Sequence, residues 1–201
     1  MSNSKKRGRV FVISAPSGCG KTTLCNRLRK SVRQLLRSVS YTTRPPRKGE
    51  QSGVDYNFVS AKQFKTLLKG GKFVESARVF GRLYGTPVGQ IKQAIAGQKD
   101  ILLSIDVKGA MQIKRLFGER SALIFILPPS VSALKTRLMK RHADSKNEIE
   151  KRLRIAKKEM SYLNKYDYAV VNNKLSEAVA QLKAIITTER LKTGKDHVNS
   201  Y

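Results

Sequence analysis

The stretch Ser14-Ala15-Pro16-Ser17-Gly18-Cys19-Gly20-Lys21-Thr22-Thr23 constrains this chain more than any other, because it joins a four-residue apolar run to a segment of helical pattern. Val10-Phe11-Val12-Ile13 is β-prone and too short for a helix, which suits a buried parallel strand. Gly18 and Gly20 let the backbone take conformations that a Cβ obstructs, so successive N–H groups can converge on one anion. Lys21 adds a mobile cation and Thr22 a hydroxyl for Mg²⁺. The helix carrying Leu24, Leu28 and Val32 presents its positive end to the same anion. Ala15, Pro16, Ser17, Gly18, Cys19, Gly20, Lys21, Thr22 and Thr23 are therefore the expected phosphate-binding loop of a nucleotide site. The strict pattern G-x-x-x-x-G-K-[ST] has glycine where this chain has Ala15, a mild change where φ is negative. A glycine turn with no ligand is the plainer alternative, but strand, loop, Lys-Thr and helix together are far more specific than glycines alone.

A length of 201 residues suits one compact α/β domain with insertions. No apolar run approaches the roughly 20 residues of a membrane span. The basic residues Lys5 to Arg9 precede an apolar stretch too short for a signal peptide, so the expected location is cytoplasmic. Cys19 and Cys25 are the only cysteines, and a spacing of loop to adjoining helix suits two reduced thiols better than a disulfide. The 41 Lys and Arg against 14 Asp and Glu give a net charge of +27, more than a nucleotide site requires. Weak nonspecific RNA binding is one consequence of such a field and a solvated basic surface the other; no RNA-binding motif or aromatic-basic interleaving supports a specific nucleic-acid partner.

A second motif follows. In Ser40-Tyr41-Thr42-Thr43-Arg44-Pro45-Pro46-Arg47-Lys48-Gly49-Glu50, with Gly53, Tyr56 and Phe58 beyond it, a proline pair blocks helix formation and holds two arginines three apart in a stiff turn. Guanidinium forks bind phosphate oxygens in pairs and Tyr56 offers a hydroxyl. Alone this reads more readily as an exposed basic loop than as a site. Together with the first motif it resembles guanylate kinase, a P-loop nucleoside monophosphate kinase, over the chain to about residue 190, and Ala15 is itself similar to bacterial members.

That resemblance implies a three-layer P-loop core with a parallel sheet over residues 8–38 and 98–192, a lid at about 128–160, a small mixed GMP-binding insertion over 39–97 and a polar tail at 193–201. It also implies the GMP-binding residues: Ser40, Arg44, Arg47, Tyr56, Glu75, Tyr84, Gly85, Thr86 and Asp106. The chemistry of Glu75 agrees, since guanine presents N1–H and an exocyclic amine to one carboxylate whereas adenine leaves that charge unpaired. Ile101-Leu102-Leu103-Ser104-Ile105-Asp106 reads as a buried strand ending in an acid, where ligands bind in open parallel sheets. The family usually has Asp-x-Asp here. Ser104 has no carboxylate to offer a Mg²⁺ water shell, and Asp106 is left either to the guanine amine or, indirectly, to the metal.

Ala122-Leu123-Ile124-Phe125-Ile126-Leu127 is a second apolar strand, and helix, polar loop and helix then suit a closing lid. By resemblance the lid arginines are Arg141 and Arg152, which join Lys21 and Arg47 as the expected catalytic set, while Asn172, ending the last strand, lies near the adenine. The expected reaction transfers the γ-phosphoryl group of ATP-Mg²⁺ to GMP, and to dGMP as a second acceptor, giving ADP and GDP. Three rivals are a P-loop kinase with another acceptor, a binding module that has lost catalysis and a nucleic-acid-binding protein. Glu75 with Ser40 and Thr86 opposes the first, the intact Gly18, Lys21, Thr22, Arg141 and Arg152 the second, and the missing RNA motifs the third. Subunit number is left open.

Overall fold

The computed structural model of the protein describes residues 8–139 and 146–192. A five-stranded parallel sheet forms the middle layer: β1 (Val10–Ser14), β2 (Leu35–Arg37), β7 (Asp100–Ser104), β8 (Ser121–Leu127) and β9 (Tyr168–Val171), in the order β2-β7-β1-β8-β9. β1 is central, with Val10 opposite Ile101 on one side and Ser121 on the other.

Its alternation decides the layers. Phe11 and Ile13 face a core shared with α1 (Lys21–Ser31), α5 (Val131–Met139), α6 (Lys146–Met160) and α7 (Leu175–Leu191), through Leu24, Leu28, Leu134, Leu138, Ala156, Leu182 and Ile186. Val10 and Val12 face the opposite core, shared with α3 (Val88–Ala96) and α4 (Val107–Phe117) through Ile91, Ala94, Ala110 and Ile113. A strand buried on both faces carries no polar residue until Ser14, hence the unbroken apolar run. Each such side chain contributes about 1.5–3 kcal/mol on burial.

A second sheet stands apart in the order β4-β3-β6-β5, from β3 (Tyr41–Thr42), β4 (Asn57–Phe58), β5 (Phe73–Val79) and β6 (Arg82–Pro87). The hairpin β5–β6 is antiparallel while β3 and β4 run parallel, the mixed sheet expected of the insertion. α2 (Ala61–Lys69) begins with a reciprocal capping box between Ser60 and Gln63 and covers this sheet by setting Phe64 against Phe73, ring centroids 4.7 Å apart. Gly85 makes that possible, since a Cβ there would lie 2.8 Å from the Phe73 ring.

α7 is pinned to the opposite pole of the parallel sheet. Glu189 meets Arg9, and the Arg190 Nε donates to Asp100 at 2.7 Å. These ion pairs sit where β1 and β7 begin, so the carboxyl ends of the strands are left for the functional groups.

Candidate active site

Ala15 to Gly20 lie between β1 and α1, and Lys21, Thr22 and Thr23 open α1. Gly18 and Gly20 have φ of +96° and +81°, the left-handed region where L side chains are strained. A Cβ on Gly20 would also meet the Asn172 amide nitrogen at 2.6 Å. That amide donates to the Cys19 carbonyl at 2.8 Å, so the end of β9 holds the loop. Cys19 and Cys25 are buried and not joined in a disulfide, as their spacing implied. Gly18, Gly20, Thr23, Arg137, Asn172, Asn173 and Leu175 line a cavity of about 340 Å³ beside the loop.

The Lys21 ammonium is drawn inward and donates to the Ile105 carbonyl at 3.0 Å. Burial lowers its pKa, against the opposing pull of Cys25, Glu159, Asp106 and Glu75. Thr22 and Thr23 stay exposed at the start of α1. Asp106 caps α4, its Oδ1 accepting from the Gly109 N–H at 2.8 Å. Ser104 sits against the Cys25 thiol, whose pKa burial pushes up.

The insertion assembles the other half. Glu75 on β5 and Thr86 on β6 are paired across the hairpin, both buried, and the Thr86 hydroxyl donates to the Glu75 carboxylate. Ser40 lies 3.5 Å from the Thr86 hydroxyl, completing a buried polar trio. Burial pushes the Glu75 carboxyl up to about 7, with Thr86 opposing, Asp106 adding and Lys21 opposing. The influence of Asp106 and Lys21 on Glu75 is the electrostatic sign that the two halves face one another.

Beside the trio, the Arg44 Nη2 meets both Glu50 oxygens at 2.9 Å, and its guanidinium lies over the rings of Tyr56 and Phe58, 5.5 and 5.7 Å from their centroids. Tyr84 sets its ring edge-on to Tyr56 at 6.0 Å. Arg47 is exposed at the rim, its N–H donating to Glu50 at 2.8 Å. The structure thus brings Arg44, Tyr56 and Tyr84 together and organises the turn around Glu50. On the lid side Arg152 of α6 lies over the Phe80 ring, 5.7 Å from its centroid. Arg141 lies outside the described residues.

Three groups at this site escaped the sequence reading. Gly109 faces Glu75 so closely that a Cβ would lie 2.6 Å from its Oε2. Glu159, near the end of α6, is pushed up to about 7 by burial, with Lys21 opposing and Asp106 adding. The Tyr166 hydroxyl is buried near Ser14, its ring edge-on to Phe125 at 5.0 Å. The spacing Val107, Ala110, Ile113, Phe117 was the available signal for α4 and hence for Gly109. Glu159 had none, because Lys-Lys-Glu-Met reads as a solvated helix face.

A parallel sheet with a glycine loop at its carboxyl edge, faced by a polar pocket on an inserted sheet and flanked by a pair of helices, defines a nucleoside monophosphate kinase of the P-loop class. The model of the Guanylate kinase family matches residues 7–189. Among curated relatives, the guanylate kinase of Nitrosomonas europaea is 48% identical over 184 residues, 92% of this chain and 91% of its own. That of Thermus thermophilus is 47% identical over 189 residues, 94% and 85% of the two chains. The crystal structure of guanylate kinase from Anaplasma phagocytophilum superposes with a TM-score of 0.80 at 34% identity, covering 94% of this chain and 89% of that one. The chain belongs to the guanylate kinase family, and it is a phosphotransferase acting on GMP.

Proposed function

We propose that the chain transfers the γ-phosphoryl group of ATP to GMP, and to dGMP, by holding the two nucleotides in line across the gap between the glycine loop and the Glu75 pocket. The observation that carries this is the buried Glu75, Thr86 and Ser40 trio facing Lys21. Ala15 to Thr23 and Asn172 take ATP, the loop through its N–H groups and Lys21 by exchanging the Ile105 carbonyl for a phosphate oxygen. Ser40, Glu75 and Thr86 read the guanine edge. Arg44, Arg47, Tyr56 and Tyr84, with the β6 backbone at Gly85, hold the acceptor phosphate, whose oxygen is already anionic and needs no general base. Arg47, Arg141 and Arg152 stabilise the charge spreading over the transferred group, and arginines so placed are worth about 10³-fold or more.

Mg²⁺ fits this donor set. Thr22 offers a hydroxyl and Asp106 a carboxylate, both hard oxygen donors, and no cluster of three His, Cys, Asp or Glu exists among the described residues. A cation that keeps water and phosphate for most of its shell needs no such cluster. When bound it neutralises charge on the ATP phosphates. Ser104 turns towards Cys25 and leaves Asp106 as the strand-end acid. We divide the chain into core (8–38 and 98–192), insertion (39–97), lid (about 128–160) and tail (193–201), the tail and lid residues 140–145 lying outside the described residues. The two buried thiols suit the cytoplasm, a reducing compartment, and no helix among the described residues is long and apolar enough to cross a membrane.

Initial rates with GMP, AMP, UMP and CMP at fixed ATP-Mg²⁺ test the reading. GMP is expected to exceed the others in kcat/KM by at least about 10³-fold, as an unpaired buried charge implies. A preference for another base overturns it.

A further inference from the structure

The β5–β6 hairpin breaks a local rule at its tip. Val79 pairs with Arg82, leaving a two-residue loop of Phe80 and Gly81 with φ of +48° and +77°. Both values are positive, the type I′ geometry that right-twisted hairpins prefer and that asparagine followed by glycine suits best. Gly81 obeys this and Phe80 does not. A bulky side chain is strained at such a φ, and 49% of Phe80 remains exposed, so burial does not compensate for the strain. The ring does have a partner far along the chain, since the Arg152 guanidinium stands 5.7 Å from its centroid. This is cation–π range, and it joins the lid helix to the sheet that carries Glu75 and Tyr84.

We infer that Phe80 is a positioning residue for phosphoryl transfer, its ring holding the Arg152 guanidinium on the acceptor side of the gap before the lid closes. The inference rests on the role given to Arg152 above. A planar cation laid on a ring loses much of its rotational freedom, and that ordering is then already met when the transferred group needs it. The strain at Phe80 is stored at the tip, where its side chain meets α6 through Arg152.

Phe80→Asn separates this role from a structural one. It installs the favoured Asn-Gly turn, so the melting temperature is expected to hold or rise. At the same time kcat is expected to fall about three- to tenfold, the loss of an ordinary cation–π contact, with GMP KM within about twofold. Phe80→Tyr is expected to restore kcat. In an Arg152→Ala background, itself strongly impaired, Phe80→Asn is expected to change kcat no further. An unchanged or raised kcat in Phe80→Asn overturns the inference, as does a fall of equal size in the Arg152→Ala background. If Arg152→Ala itself keeps full kcat, what fails is the catalytic role of Arg152.

Discussion

The two halves of the site are built on opposite principles. The donor side is a contiguous run of residues whose working groups are backbone N–H groups and a helix end, and what it demands of side chains is mostly their absence, at Gly18 and Gly20. On the proposed reading the acceptor side is assembled from separated positions, Ser40, Glu75 and Thr86, each contributing one oriented polar group. On the same reading the first takes any polyphosphate of the right length, because main-chain amides carry no information about a base. The second discriminates, because a buried carboxylate left without donors is costly. Affinity and choice are thus lodged in different parts of the molecule, and each should be damaged separately.

The largest effect is expected on the donor side. Lys21→Ala removes the cation that meets the phosphates and should lower kcat by about 10²- to 10³-fold for every acceptor alike. A loss confined to GMP would dissolve the contrast. Next, Glu75→Gln turns one acceptor oxygen into a donor facing guanine donors and should lower kcat/KM for GMP about 10²-fold, with ATP KM unchanged in steady-state rates.

The same residue makes a pH prediction. An unfolded glutamate titrates near 4.5 and Glu75 in the fold at about 7. Between these values the folded chain holds a proton that the unfolded chain has lost, so stability falls as pH rises through this window and is lowest above it. The contact proposed between Glu75 and guanine needs the ionised form. The dissociation constant of GMP for the free enzyme should therefore climb by up to about tenfold per unit as pH drops below 7. Because the substrate phosphate itself titrates near about 6, Glu75→Gln is the reference, and calorimetric titration should find the steeper slope only in the parent. The smallest effect expected is that of Gly109→Ala. Its methyl would crowd Glu75 and should raise GMP KM about tenfold or less, an effect of the size small-to-large changes bring, and leave ATP KM alone.

The same contrast governs what the sequence disclosed. The glycine loop was legible from residue types alone, since strand, turn, cation and helix follow one another along the chain. The buried strands were legible too, because a parallel strand covered on both faces has to be apolar throughout. Glu75 was not; by pattern it is a charge on an edge strand, and only the resemblance, with the hydrogen-bonding edge of guanine, singled it out. Gly109 acquires meaning only when α4 is packed against β5, and Glu159 only when α6 lies over the strand ends. Glu50 was visible within a motif, but its grip on Arg44 depends on the turn closing. Spacing along a chain reports local periodicity, and the contacts of Gly109 and Glu159 span tens of residues or more.

Lys21 adds a consequence of its own. Its ammonium already rests on the Ile105 carbonyl, so an arriving triphosphate trades one oxygen for another and does not quench an idle charge. On the proposed reading the hand-over from carbonyl to phosphate is made at one nitrogen, so the same atom that tethers the empty loop to the strand end reports the arrival of the donor.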